Sequence, residues 1–384
     1  MKSLRFSNVL VSGNMNSSGT TMGGIVGNVY GGNNYIVGCQ NNVTTNAATV
    51  NKGHVGGIVA RIDSGNVYIS GCINQADLHS NTFGDGASNY MTDYCGGIVG
   101  SATGSSSNEL FIENCVNNGS VLGDTSGAIV GYSEIDGQNS IMNCMNNGYV
   151  SGDYCGGIIG KLDASGVDNA VVGCSNNGFI GSQSTKLRNV GGLIGVVDGG
   201  AEIDLHYCTH YGFAISNVVL DKATIKANTI KMVTNILGIA GGIIGLVSSI
   251  ISFNPWGIIT GIIGLANSIY AFIDWLITAR IFVTPQAAGI VSEIDQGFLK
   301  DDAEVHMSNV LSLGIVRSSS SEEDVLCNDG DVDIKRNVYS LDDSVSSSDT
   351  HGKNDVVNFR NQRDFESGKV AAEIEANQAG IFFV

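Results

Sequence analysis

Apolar residues along this chain fall into short runs closed off by Gly, Asn, Asp or Ser, and the runs recur in a fixed order. A Gly-Gly-Ile-Val-Gly-like pentad stands at Gly23–Gly27, Gly56–Ala60, Gly96–Gly100, Gly127–Gly131, Gly156–Gly160 and Gly191–Gly195, each followed by a cysteine in the same local context. Self-similarity at a period of roughly 30 residues marks an array in which each unit buries its apolar face only by stacking on its neighbours. In the unit Gly127–Asp153 the runs are Ala128–Val130, Ser140–Cys144 and Gly148–Ser151. Each is too short for an amphipathic helix and rich in apolar or β-branched residues, so three strands per unit are predicted. The expected fold is mainly β, a right-handed parallel β-helix or solenoid of about seven coils, interrupted by an apolar α-helical hairpin.

Equivalent places in successive coils stack at about 4.8 Å, which turns the repeat into columns. Ile129, Ile141, Cys144 and Val150 are expected inside, with their counterparts above and below. Cys39, Cys72, Cys115, Cys144, Cys174 and Cys208 share one place and read as a column of small buried hydrophobes rather than as a disulfide framework. Asn41, Asn74, Asn117, Asn146 and Asn176 share another, where stacked amides can hydrogen-bond from coil to coil. The residue before each cysteine is Gly38, Gly71, Asn114, Asn143, Gly173 or Tyr207, mostly types that tolerate positive φ, so a bend is predicted there. A seventh coil is recoverable at Ala288–Val291, Ser308–Val310 and Gly314–Val316.

One stretch breaks the pattern. From Met232 to Ile273 no residue is charged, and Asn254-Pro255 sits near its middle. Each half approaches the roughly 20 residues that cross a hydrocarbon core, with Pro255 breaking the helix between them. Phe253 and Trp256 lie at the tip and Trp275 near the base, and Gly241 with Gly245 and Gly257 with Gly261 provide small-residue spacings for close helix packing. These eight residues are the candidate membrane-interaction set, with a hairpin buried against the β-helix as the competing reading. Lys222, Lys226, Lys231 and Arg280 flank the segment. The expected organisation is β-helix over 1–217, hairpin insertion over 218–284, a resumed coil over 285–317 and an acidic, partly ordered segment over 318–384.

Composition narrows the function more by exclusion than by choice. Net charge is −17, much of it in the last quarter, which argues against a nucleic-acid partner. No C-x-x-C pair and no H-E-x-x-H motif occurs, and the six histidines are scattered. Asp329–Asp333 alternates like a calcium loop, but Ile334 and Ser340 occupy the places where an EF-hand needs Gly and Glu. Asp63, Asp153 and Asp163 are expected in turns, with no third group to make an acid–base pair. No catalytic residue, cofactor or metal ligand is therefore predicted. The first residues carry no apolar leader, and Val9–Gly13 already reads like Gly148–Gly152, so the chain is expected to begin within a coil of a longer protein.

The pentad followed by Asn-Cys-x-Asn-x-Gly-x-Val-x-Gly resembles the GLUG-type repeats of bacterial surface and secreted proteins. Asn337-Val338-Tyr339 and Arg363–Ala371 resemble segments that close such arrays. The resemblance implies an extracellular or cell-surface location and a non-catalytic role in adhesion, through contacts with a host protein or glycan. The apolar insertion and the residues Tyr207 and His210 depart from the family pattern. A lipid membrane is the further partner expected from the insertion, either as an anchor or, as the alternative, through a pore-forming, toxin-like insertion. A polysaccharide-cleaving β-helix is the remaining class.

Overall fold

In the computed structural model the described residues are 3–16, 21–47, 53–80, 93–166, 168–184, 189–218, 286–294 and 303–318. Short pieces between 322 and 341, residues 357–360 and a few residues between 363 and 372 complete the set. The chain divides into two units, one of residues 1–184, 188–218 and 285–384, the other of 185–187 with 219–284. The second unit lies outside the described residues, and with it the expected hairpin and its Gly241, Gly245, Phe253, Pro255, Trp256, Gly257, Gly261 and Trp275. Among the described residues no helix is long and apolar enough to cross a membrane.

The first unit is mainly β, a parallel β-solenoid of about five complete turns whose ladders continue into further strands at both ends. Every pairing described between strands is parallel, as it must be when each turn stacks on the one before; Ile69, Ile112, Ile141, Val171 and Leu205 align in one ladder. Val121, Val150, Ile180, Ala214 and Val316 align in another. Strands Glu322–Asp324, Cys327–Asp329, Val332–Arg336 and Val338–Leu341 extend the ladders into the acidic segment.

The local outline differs from the three-strand expectation. A turn such as Thr125–Ser151 contains five short strands: β1 (Thr125–Gly127), β2 (Val130–Ile135), β3 (Gln138–Met142), β4 (Met145–Asn146) and β5 (Val150–Ser151). Ala128 and Ile129, read as part of a strand, form the corner between β1 and β2. The corner is tight enough that a Cβ on Gly127 would lie 1.9 Å from the Val130 carbonyl oxygen. Only a residue without a side chain fits there.

The columns stand as expected from the repeat. All six cysteines of the main column are buried and unpaired as free thiols, with Cys72 and Cys115 backbone-linked through N–H to Sγ contacts such as Cys72 N to Cys115 Sγ at 3.4 Å. The residues preceding them, Gly38, Gly71, Asn114, Asn143, Gly173 and Tyr207, all adopt positive φ. Inside, the Asn column is fully buried and continuous. Asn41 Nδ2 donates to Asn74 Oδ1 at 3.0 Å, Asn74 to Asn117 at 2.8 Å, Asn117 to Asn146 at 3.0 Å and Asn146 to Asn176 at 2.8 Å. Four of the five amides back onto the second glycine of a pentad, as where a Cβ on Gly157 would lie 2.5 Å from Asn176 Cγ; the fourth pentad has Ala128 at that place. That contact explains why the Gly-Gly pair and the Asn recur together.

Candidate ligand-binding crease

Outward-facing residues of β1 and its equivalents form one wall of a crease, and those of β2 and its equivalents form the other. His54, Tyr94, Thr125, Tyr154 and Asn189 stack in register on the first wall. Arg61, Ser101, Tyr132, Lys161, Val196 and Glu293 stack on the second. The walls meet with an offset of one turn: His54 Nδ1 lies 2.6 Å from Ser101 Oγ, the Tyr94 and Tyr132 rings stack at 4.4 Å, and Asn189 donates to Glu293. The backbone lets them meet because five of the six pentads end in a glycine at the fold and the second in the small Ala60; a Cβ on Gly131 would lie 2.7 Å from the Cys95 carbonyl oxygen.

At the mouth of the crease the side chains become charged. Lys161 Nζ bridges Asp198 Oδ2 at 2.6 Å and Asp163 Oδ2 at 3.3 Å. The Tyr132 hydroxyl donates to Glu134 Oε2 at 3.1 Å, with Asp163 Oδ2 next at 3.4 Å. At the same place three turns earlier, Arg61 pairs with Asp63 at 2.6 Å. Asp63 and Asp163, expected in turns, lie on strands Val59–Ser70 and Ile159–Asp163, which is what points both toward the same face. Asp153 stays in the connection before Tyr154. The third group that the sequence did not provide for Asp163 is Lys161, together with Asp198 from the next turn.

The electrostatics favour holding over proton transfer. Burial works against the Lys161 charge, but the Asp198 hydrogen bond and the Asp163 and Asp198 charges outweigh it and keep the ammonium above the ordinary lysine range. Burial also raises the Tyr94 and Tyr132 phenols, helped at Tyr132 by the Asp163 and Glu134 charges. His54 is lowered to about 4, first by burial and then by Arg61. General acid–base groups work best with pKa values near the operating pH, and each of these shifts leads away from neutrality. What the crease offers is a fixed row of donors and acceptors, with two stacked phenols, one ammonium and three carboxylates within a few ångströms.

Two further outward rows are aromatic or amide. Tyr35 and Tyr68 stack at 5.0 Å, and Tyr68 meets Phe111 at 6.1 Å. Asn118, Asn147 and Asn177 form an exposed amide row, with Asn147 donating to Asn118 at 2.9 Å and Asn177 to Asn147 at 3.0 Å. Among the described residues no group of three or more His, Cys, Asp or Glu side chains is arranged to hold a metal ion. The crease and its rows define a parallel β-solenoid with regularly spaced polar outer faces. Comparison with protein-family models, curated proteins and solved structures finds no match for this chain.

Proposed function

We propose that this protein is a non-catalytic interaction scaffold of the GLUG-repeat kind, working outside the cell or at its surface. In this reading it is a right-handed β-helix of about seven coils that holds a hydroxyl-rich glycan or a protein loop along its crease. The carrying observation is the Tyr94–Tyr132–Glu134–Lys161–Asp163–Asp198 cluster. Its donors and acceptors are held in place by one another, and its surroundings push Tyr94, Tyr132 and Lys161 further above neutral pH. The excess of carboxylates over cations there favours neutral or cationic ligands over acidic ones. The buried cysteines are compatible with an oxidising milieu: burial holds Cys95, and Cys208 at the end of the column, up to about 12, so both stay as unreactive thiols.

The test is binding to a panel of immobilised neutral, amino-bearing and acidic glycans and of surface proteins, comparing the parent with the Lys161→Ala/Asp198→Ala pair. A ligand bound by the parent and lost by the pair supports the reading. Release of reducing ends from any polysaccharide would replace it with an enzyme.

The insertion adds a second part to the proposal, an apolar helical hairpin over 218–284 that anchors the protein to a lipid membrane or inserts in it. Its support is the uncharged run from Met232 to Ile273. Flotation with lipid vesicles, comparing the intact chain with one carrying a short Gly/Ser linker in place of 218–284, tests the anchor. Dye leakage from the same vesicles would favour the pore-forming alternative.

A further inference from the structure

His306 is buried, yet both of its ring nitrogens meet carboxylates. Nε2 lies 3.1 Å from Glu202 Oε1 and 3.7 Å from Glu304 Oε2, and Nδ1 lies 3.3 Å from Asp333 Oδ2. The acids come from three successive turns. Glu202 stands on strand Glu202–His206, Glu304 shares strand Glu304–Ser308 with His306, and Asp333 stands on strand Val332–Arg336. These strands pair in parallel, with Glu202 opposite Glu304 and His306 opposite Asp333. In chain order Glu202 precedes residues 219–284, His306 follows them, and Asp333 belongs to the acidic segment.

The chemistry of the ring decides how many of these contacts it can make. A neutral imidazole carries one N–H, so it can donate toward Glu202 or toward Asp333 but not toward both. Nε2 is within hydrogen-bond distance of Glu202, whereas Nδ1 is buried and has no hydrogen bond among the described residues. With the single proton on Nε2, the Nδ1 lone pair faces a carboxylate, and the two repel. An imidazolium has an N–H on each nitrogen and turns that contact into a second charge-assisted link. The other titratable or charged residues of the three strands are Asp204, opposite His306 on the turn before, His206 opposite Ser308, and Lys335 and Arg336, of which Arg336 pairs with Ser308. The nearest of them in register, Asp204, adds another negative charge beside the ring's place in the column.

We propose that His306 is a proton-operated clasp. Protonation joins Glu202 to Asp333 through the ring and fastens the turn containing Val332–Arg336 onto the two turns before it; loss of the proton undoes the Asp333 link. The second proton is held where both carboxylates are in place, so acid favours the fastened end and alkali loosens it. The clasp is independent of the ligand and membrane readings above, and it makes the hold of the solenoid on its acidic segment sensitive to pH.

The experiment is hydrogen exchange of the full chain read over residues 332–341, from about pH 7.5 to about pH 5.5 and corrected for intrinsic rates, beside nitrogen NMR of the histidine rings. The variant is Asp333→Asn, which removes one charge at a side chain that is 52% exposed and keeps its size. The His306 resonance is assigned by its loss in His306→Gln. In the parent, protection should rise about threefold toward the acid end as both His306 nitrogens become protonated, and Asp333→Asn should abolish the rise. A ring that stays singly protonated throughout, a ring that titrates with no change in protection, or equal changes in parent and Asp333→Asn would each overturn the clasp.

Discussion

The third to fifth turns and the sixth turn share one backbone and differ in what they place on it. In the former, Asn117, Asn146 and Asn176 are buried in a chain of amide hydrogen bonds, and Asn118, Asn147 and Asn177 repeat that chain on the surface. In the sixth, the same two places hold His210 and Tyr211. His210 Nδ1 lies 3.1 Å from Asn176 Nδ2, so it accepts the last amide bond and its proton sits on Nε2, which is buried without a hydrogen-bond partner among the described residues. Along the column the buried amides satisfy each other; where the column is broken, the chain carries a buried cost at His210 and exposed aromatic rings beside it. Departures from a repeat are thus the better guide to function here than the repeat itself.

The sharpest way to break the comparison is Gly127→Ala. The added Cβ would lie 1.9 Å from the Val130 carbonyl oxygen and 2.6 Å from the Gly160 nitrogen, both backbone atoms of the corner. A loss of about 4 kcal/mol in urea unfolding is expected, at the upper end for a single substitution.

Acid separates the two regions next. His210 is fully buried and burial lowers it to about 4, against 6.5 for the ordinary group. The unfolded chain therefore takes up this proton before the folded one does. The stability tied to neutral His210 is complete above pH 6.5 and declines as the pH falls toward 4, by about 3 kcal/mol in all. His210→Asn, which continues the amide chain, should remove this part of the acid sensitivity. Urea midpoints of parent and variant that shift equally between pH 7 and pH 4 would disprove the assignment.

The inner and outer amide rows sharpen the contrast further. Asn146→Ala removes one of the two hydrogen bonds at Asn117 Nδ2 and one of the two at Asn176 Oδ1 inside the solenoid and should cost about 2 kcal/mol. Asn147→Ala, on the exposed row, should change stability by less than about 0.5 kcal/mol, because water replaces its partners. In the opposite direction, Tyr207→Asn should raise the thermal midpoint, with a gain of about 1 kcal/mol from relief of the positive-φ strain. A lower midpoint would show that the ring has a packing role in this turn.

Most of the scaffold was legible in the residues. The pentads, the cysteine and asparagine columns and the positive-φ positions all follow from identical residues recurring at one place, because parallel stacking converts sequence period directly into contact. The number of strands per turn was not legible, since a Gly-Gly corner and a short apolar strand look alike until the Gly127 backbone contact is seen. The crease was missed for a related reason. Its contacts join Tyr94 to Tyr132 and Lys161 to Asp198 across an offset of one turn, and a column-by-column reading pairs only equivalent places. The Arg61-x-Asp63 and Lys161-x-Asp163 spacings were the available signal.

By itself, then, the sequence determined that the chain stacks as parallel turns and which side chains fill its interior, because burial and hydrogen bonding repeat with the period. Only the tertiary structure decided which outward residues meet, how Lys161 gains two carboxylates, and that the rings of the sixth turn gather on one open flank. Those outcomes depend on the angle at each glycine corner and the offset between turns, neither of which any single repeat encodes.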